Sequence, residues 1–230
     1  MLRIILGLSI ILSSCTPAVS LKAEKALFGS ADRMEMYLLH SKAVSVGRIC
    51  GMKSKDTVGS GVIVGHVGSK TLIATAEHVA TAIKKSKCDI TVYDWKGISG
   101  YAEIVKTDLA SDISILAVDE RLGEVAAMYP KPYLGQPITC VGWPVLPGME
   151  FSGKSITRGY VSTLGVGKLI RVSADLYMGN SGGACFSEDG RIVGIVSQFA
   201  VGFQSFMGPI VPFPGHYYIS HVDNLKKLLD

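Results

Sequence analysis

The chain has 230 residues, of which 48% are hydrophobic and 18% are charged. This balance excludes an intrinsically disordered protein and supplies enough apolar side chains for a folded core. The net charge is +4, but no run of Lys and Arg is interleaved with aromatic residues, so composition argues against nucleic-acid binding.

Residues 1–15 have the features of a signal peptide. Arg3 provides a positive start, residues 4–12 are nearly all apolar, and small residues follow. A stable membrane span needs roughly twenty apolar residues, so we expect cleavage. The segment 12–15 (LSSC) resembles the bacterial lipoprotein box, which predicts lipidation of Cys15 and a membrane anchor. The alternative is an ordinary signal peptide with a chance cysteine. Both predict an exported protein, either in the bacterial cell envelope on the periplasmic side or secreted.

Residues 16–42 are predicted to form a tether or N-terminal helix, because Leu27, Ala31, Met34 and Leu38 recur at helical intervals. After residue 42 the pattern changes to short β-rich runs bounded by turn residues. Six such runs suit one small barrel at about 43–128. They are residues 43–50, 58–67, 71–76, 89–93, 102–105 and 113–118.

Residues 129–136 contain Pro and Gly and are predicted to link this half to a second β-rich half at about 137–222. The chain is predicted to end in a helix at residues 223–229, with Asp223 as its N-cap. The second set of predicted strands comprises residues 138–142, 155–164, 169–174, 183–186, 192–198 and 217–220.

The segment 179–183 (GNSGG) places a serine in a glycine-rich loop and indicates nucleophilic catalysis. A serine hydroxyl needs a histidine to take its proton, and the histidine needs a carboxylate to fix its tautomer. His78 lies in the segment TAEHV at 75–79, and Asp112 immediately precedes an apolar run. The order along the chain is therefore His78, Asp112, Ser181.

These segments resemble the chymotrypsin-like (trypsin-like) serine proteases, and most closely their HtrA/Deg branch. Asp108 and the segment SDISIL at 111–116 are similar to the aspartate motif of that branch. The ordered matches span residues 58–198. The other matching segments are GSGVI at 59–63, TAEHV at 75–79, GYVS at 159–162, GNSGG at 179–183 and GIVS at 194–197.

The resemblance implies an all-β protein with two six-stranded antiparallel β-barrels and short N- and C-terminal helices. It implies a serine endopeptidase that hydrolyses peptide bonds of exported or envelope proteins through an acyl-enzyme, without a cofactor or metal. His78 would be the general base and then acid, Asp112 its orienting partner and Ser181 the nucleophile. The N–H groups of Gly179 and Ser181 would form the oxyanion hole, and Ser197 would hold the substrate.

Alternatives remain at the sequence level. Asp108 is a rival to Asp112 by position. Residues 179–183 also satisfy the G-x-S-x-G elbow of α/β-hydrolases, which would recruit Asp189 and then His216 or His221. That fold requires a helix after the serine, whereas residues 183–196 are predicted as strand, turn and strand. The alternative from another functional class is a family member without catalytic activity, which would bind peptides or act as a scaffold.

Three departures from the resembling families affect regulation and specificity. Asn180 precedes the nucleophile where activatable trypsins have an aspartate, so no zymogen switch is expected. The chain stops at Asp230, so we expect no PDZ domain and no regulation by one. Asp175 is placed where trypsin-like enzymes attract Lys or Arg, or it is only a strand-end hydrogen-bonding residue. Phe199 stands where their pockets keep glycine, and it would favour small aliphatic side chains.

Apart from Cys15, the chain has an even set of four cysteines, which in an exported protein indicates disulfides. Spacing alone allows three connectivities, and no pair has the close spacing of zinc ligands. The resemblance implies a bridge between Cys140 and Cys185 on neighbouring strands, and with it a second bridge between Cys50 and Cys88. Free buried cysteines are the alternative.

Overall fold

A computed structural model describes residues 39, 41–50, 53–97, 99–145, 153–203 and 210–230. For 53–56, 166, 199–203 and 210–215 it describes the backbone alone. The predicted signal peptide, Cys15 and nearly all of the predicted tether lie outside these residues. Within the described ranges, no helix is both long and apolar enough to cross a membrane.

The first half of the described chain forms a closed antiparallel barrel with the strand order β1-β2-β3-β6-β5-β4. A helix, α1, connects β3 to β4. The elements are β1 (Ala43–Cys50), β2 (Lys53–Val67), β3 (Lys70–Thr75), α1 (Glu77–Lys85), β4 (Asp89–Tyr93), β5 (Ser99–Asp108) and β6 (Ile113–Val118).

The second half repeats this connectivity in a second closed barrel, in the order β7-β8-β9-β12-β11-β10. The predicted fold of two six-stranded antiparallel barrels is therefore confirmed. The elements are β7 (Pro137–Gly142), β8 (Ser155–Val166), β9 (Leu169–Val172), β10 (Ala184–Phe186), β11 (Ile192–Phe203), β12 (Ile210–His221) and the C-terminal helix α2 (Val222–Leu229).

Several strands extend beyond their predicted ends, although β4 and β6 begin and end where predicted. The largest extensions are in β2, β5, β11 and β12. The pairing of β11 with β12 is interrupted by two register shifts. In β11 they lie between Val196 and Gln198 and between Phe199 and Val201. Such shifts bend a strand while pairing continues, so the residues beyond them lack the simple alternation on which the prediction relied.

Each barrel is filled by its own apolar side chains, and a third cluster lies where the barrels meet. Val46 and Leu116 lie in the first barrel interior, and Ile170 and Val193 in the second. The third cluster draws residues from both halves: Val62, Ala74, Ile113, Val141, Ala184 and Ile195. These side chains are almost completely buried, so the two halves share one apolar interface, which fixes the groove between them.

The helix α1 is not among the predicted elements, which include no helix between the strands at 71–76 and 89–93. Its sequence suits a helix: Val79, Ala80 and Ile83 are buried on one face. Glu77 lies in the first turn and Lys84 in the last, which complements the helix dipole. Because this short apolar face follows directly on the apolar residues of β3, the sequence does not separate the helical pattern from the strand pattern.

The C-terminal helix begins one residue earlier than predicted, and its N-cap prediction was wrong. The N-cap is His221, whose Nδ1 accepts the backbone N–H of Asp223 at 3.0 Å. Asp223 lies inside the first turn, where its carboxylate complements the helix dipole and accepts a hydrogen bond from Lys226.

One disulfide in each barrel connects two neighbouring segments of the chain. Cys50, at the end of β1, is bonded to Cys88, immediately before β4. Cys140 on β7 is bonded to Cys185 on β10, and these residues are direct partners in the antiparallel register. Disulfides persist in oxidising compartments, so this pairing is typical of an exported protein.

Candidate active site

A groove of about 830 Å³ lies between the two barrels. Its walls include apolar and polar side chains from both halves of the chain. The residues used below are His78, Leu109, Asp112, Lys168, Met178, Gly179, Ser181 and Ser197.

His78 and Asp112 are in direct polar contact in this groove. His78 Nδ1 lies 2.9 Å from Asp112 Oδ2 and 3.0 Å from Oδ1. The backbone N–H of His78 also donates to Asp112 Oδ1 at 3.0 Å, and the N–H of Glu77 donates to the Asp112 carbonyl at 3.2 Å. Asp112 therefore satisfies two N–H groups that the start of α1 would leave without partners. With Nδ1 committed to Asp112, Nε2 is the ring nitrogen left to exchange a proton.

The loop before Asp112 gives this residue an unusual backbone. Its φ is 54°, in the left-handed region that Asp tolerates better than most residues. Asp108, the sequence-level rival, does not contact His78. Its carboxylate accepts the N–H of Ala110 at 3.0 Å, the hydroxyl of Ser111 at 2.5 Å and the ammonium group of Lys168 at 3.0 Å. Asp108 thus stabilises the loop from which Asp112 projects.

The hydrogen bonds around Asp112 affect the pKa values of both partners. Burial by itself would raise the pKa of Asp112, but hydrogen bonds from the His78 ring, the Ser197 hydroxyl at 2.6 Å and the His78 N–H hold it below its ordinary value. The hydrogen bond to Asp112 raises the pKa of His78 above its ordinary 6.5, although burial acts in the opposite direction. The pair therefore favours an ionised carboxylate beside a basic imidazole.

Ser181 lines the same groove, in the loop between β9 and β10. Its hydroxyl donates a long hydrogen bond of 3.4 Å to the carbonyl of Ser197. Within the part of the chain that the structure describes, no hydrogen bond joins Ser181 Oγ to His78. A bond of this length is weak, so rotating the side chain away from it costs less than about 1 kcal/mol.

The backbone before Ser181 presents two N–H groups to the groove. The carbonyl of Met178 accepts the N–H of Val145 at 2.7 Å, and the carbonyl of Asn180 accepts the N–H of Gly183 at 2.9 Å. A trans peptide points its C=O and N–H in opposite directions, so the N–H groups of Gly179 and Ser181 point away from these contacts. Among the described residues, neither N–H has an acceptor. Both are therefore available for an oxygen atom in the groove.

Gly179 is the residue type that this loop requires. Its φ is +88°, and a Cβ atom there would lie 2.4 Å from the carbonyl oxygen of Trp143. A side chain at position 179 would thus strain the backbone and collide with the neighbouring segment.

A family model described as a trypsin-like peptidase domain matches residues 59–195 of this chain. The chain belongs to that family. The match covers more than half of the sequence and includes His78, Asp112 and Ser181.

Curated relatives of this peptidase domain are named as HtrA-like serine proteases. One from Staphylococcus epidermidis strain RP62A is 30% identical over 164 residues, which cover 63% of this chain and 27% of the relative. Another, from Staphylococcus aureus strain USA300, is 29% identical over 163 residues, which cover 63% of this chain and 20% of the relative. The chain thus matches about a quarter or less of each of these relatives.

A solved structure with a similar fold is the crystal structure of the serine endoprotease from Yersinia pestis. Its TM-score is 0.68 at 23% sequence identity, and the match covers 88% of this chain and 66% of that chain. At this identity the comparison supports the two-barrel fold, which agrees with the strand order described above.

Of Asp175 and Phe199, the two residues that the sequence predicts to set side-chain specificity, the structure describes the side chain of Asp175 alone. Asp175 is exposed and is not among the described residues that line the groove, so the peptidase domain does not present it as a buried acid beside Ser181. Asp175 lies in the loop after β9, which ends at Val172. The backbone of Phe199 pairs with Tyr217, and its side chain lies outside the described residues.

The α/β-hydrolase alternative is excluded by the fold, since the chain after Ser181 forms the hairpin of β10 and β11. Asp189 is paired with Arg191 in the turn of that hairpin, and His221 caps α2. Neither residue lines the described groove.

Two exposed apolar residues on the groove were not identified from the sequence. Leu109 is 75% exposed and Met178 is 55% exposed. Both lie next to recognised motifs, where a large apolar residue in a polar turn is the signal that could have identified them. Both side chains add apolar surface to the walls of the groove.

Proposed function

We propose that this peptidase domain is a serine endopeptidase that uses His78, Asp112 and Ser181. The observation that carries the proposal is the orientation of His78. Asp112 holds Nδ1 with both carboxylate oxygens, in a groove that also contains Ser181 and two N–H groups without an acceptor. This arrangement supports nucleophilic attack on a carbonyl group.

The chemistry follows from these positions. Ser181 Oγ rotates from the Ser197 carbonyl, gives its proton to His78 Nε2 and bonds to the carbonyl carbon of the scissile peptide. The negative charge that develops on the carbonyl oxygen is stabilised by the N–H groups of Gly179 and Ser181. His78 then returns the proton to the leaving amine as the C–N bond breaks. Water, deprotonated by His78, hydrolyses the acyl-enzyme and restores the Ser181 hydroxyl.

The substrate is a polypeptide chain in extended conformation. β11 runs along the groove at Ser197 and Gln198, and a register shift separates Val196 from Gln198 where β11 pairs with β12. An extended peptide beside such a strand forms main-chain hydrogen bonds with it. Ser197 contributes its backbone to this contact, because its side chain is bound to Asp112.

Covalent labelling tests the proposed function directly. A fluorophosphonate probe reacts with a serine that is activated by its histidine, so we expect one label on Ser181, identified by peptide mass spectrometry. The alternative is a silent domain that binds peptides without cleaving them. Folded wild-type protein that binds peptides and does not react with the probe would favour that alternative.

Residues 1–15 are proposed to direct export, and Cys15 to carry the lipid that anchors the protein on the periplasmic side. The support is the apolar segment that ends at Cys15, together with two disulfides that suit an oxidising compartment. In a bacterial host we expect Cys15→Ala to move the protein from the membrane fraction to the soluble fraction. Wild-type protein without a lipid-modified N-terminal peptide would contradict the anchor.

A further inference from the structure

Ser60 on β2 connects the first barrel to the nucleophile loop of the second. Its side chain is completely buried. The hydroxyl donates to the carbonyl of Gly179 at 2.7 Å and accepts the N–H of Trp143 at 2.8 Å. The backbone N–H of Ser60 donates to the carbonyl of Ser181 at 2.8 Å, and its own carbonyl accepts the Thr75 hydroxyl at 2.7 Å.

The Gly179–Asn180 peptide, to which the Ser60 hydroxyl is bound, lies between the two N–H groups that face the groove. The Gly179 N–H belongs to the preceding peptide, and the Ser181 N–H belongs to the following one. The angle between these two N–H groups depends on ψ of Gly179 and φ of Asn180, and it changes when a rotation of the central peptide alters the two dihedral angles by unequal amounts. The position of the central peptide therefore determines whether both groups can bind one oxygen atom.

Glycine at position 179 makes such a rotation easier. It is required there because no Cβ fits, yet glycine has more accessible backbone conformations than any other residue. The other contact of the central peptide is the bond from the Asn180 N–H to the Tyr177 carbonyl at 3.1 Å, which is formed within the same loop. Among the hydrogen bonds of the described residues, the one from the Ser60 hydroxyl thus ties this peptide to the first barrel.

We propose that Ser60 is a positioning residue for the oxyanion hole, which it keeps formed by fixing the Gly179–Asn180 peptide against the first barrel. Ser60 does not touch the substrate and acts through the nucleophile loop. The inference rests on the proposed function, because an oxyanion hole matters for a reaction in which charge develops on a carbonyl oxygen.

The test compares Ser60→Ala with Thr71→Val. Thr71 is a matched control because its buried hydroxyl also donates to a backbone carbonyl, that of Glu120 at 2.6 Å, and accepts a backbone N–H, that of Leu122 at 3.0 Å. It lies on β3 and is not among the residues that line the groove. The Thr71 hydroxyl also lies 3.2 Å from His66 Nδ1, so Thr71→Val should lose at least as much stability in thermal unfolding as Ser60→Ala.

We expect Ser60→Ala to lower kcat about ten- to a hundred-fold, less than the 10²- to 10³-fold loss caused by removing a donor itself. KM should stay within about two-fold, since ground-state binding uses other contacts. Affinity for a peptide aldehyde, whose adduct oxygen occupies the oxyanion hole, should fall as much as kcat. Thr71→Val should keep wild-type kcat and aldehyde affinity.

Crystal structures of wild type and Ser60→Ala provide a readout that does not need activity. In Ser60→Ala alone, we expect the Gly179–Asn180 peptide to shift or to adopt two orientations, with a changed angle between the N–H groups of Gly179 and Ser181. If wild type cleaves no peptide, the proposed function fails, and these structures still decide the role of Ser60. An unchanged angle between the N–H groups of Gly179 and Ser181, or kinetics of Ser60→Ala equal to those of Thr71→Val in an active enzyme, would overturn the inference.

Discussion

Replacing Ser181 by alanine is expected to lower kcat for peptide hydrolysis by about a million-fold, the loss observed when the nucleophile of such a triad is removed. The variant keeps the groove, the two free N–H groups and the His78–Asp112 pair, so it should still bind peptides with near wild-type affinity. Steady-state cleavage of a fluorogenic peptide measures kcat, and fluorescence anisotropy measures binding.

Ser187→Ala is a suitable control for this substitution. Ser187 lies in the turn between β10 and β11, where its hydroxyl bonds to the Arg191 backbone and to Asp189, outside the groove. Like Ser181→Ala, the Ser187→Ala substitution removes one hydroxyl group from the second barrel, but it should leave turnover unchanged. Hydrolysis by Ser181→Ala at a rate near that of wild type would contradict the assignment of the nucleophile.

Asp112→Asn is expected to lower kcat by about 10⁴-fold, as the equivalent change does in a Ser-His-Asp triad. The amide group of asparagine can donate to His78 Nδ1, which places the ring proton on Nε2 and prevents it from accepting the proton of Ser181. The hydrogen bond from Ser197 to the carboxylate is weakened as well. Steady-state kinetics with the same peptide measure the loss.

The pH dependence of the residual activity gives a second measure of the same pair. Catalysis needs neutral His78, so kcat/KM should fall as the pH decreases through the pKa of His78. In wild type the hydrogen bond to Asp112 raises this pKa, so the fall should be centred above pH 6.5. Asparagine removes that effect, and the fall should then move to lower pH.

Asp108→Asn is the matched control, because Asp108 belongs to the same loop and its carboxylate is bound to Ser111 and Lys168 rather than to His78. We expect a loss in kcat of less than about ten-fold and an unchanged pH profile, since the His78–Asp112 contact remains. A larger loss in Asp108→Asn than in Asp112→Asn would reverse the assignment of the two carboxylates.

The fold and the main features of the groove could be predicted from local patterns. Alternation and turn residues predicted all twelve strands with at least one end within three residues of the observed one, and GNSGG at 179–183 identified the nucleophile loop. The structure brings His78, Asp112 and Ser181 to one groove, although 103 residues separate His78 from Ser181. Their roles in catalysis stay a prediction until the substitutions above are measured.

Other features could not be predicted because they depend on contacts between distant segments. The start of α1 is stabilised by Asp112, which lies 34 residues further along the chain. The choice between Asp108 and Asp112 depends on which carboxylate faces His78, and the exposure of Asp175 depends on how the chain turns after β9. For each of these three features, the residues next to it in the sequence do not indicate the distant contact on which it depends.

The sequence by itself determined the two β-rich halves, the even set of four cysteines and the identity of the side chains in the groove, because periodicity and motif spacing are local properties of the chain. Tertiary structure decided the rest. Packing of the two barrels against each other brought Ser60 against the nucleophile loop and Ser197 against Asp112, at sequence separations of 119 for Ser60 and Gly179 and 85 for Ser197 and Asp112. A hydrogen bond at such a separation forms only after the backbone has folded, so its partners cannot be identified from the residues that flank them.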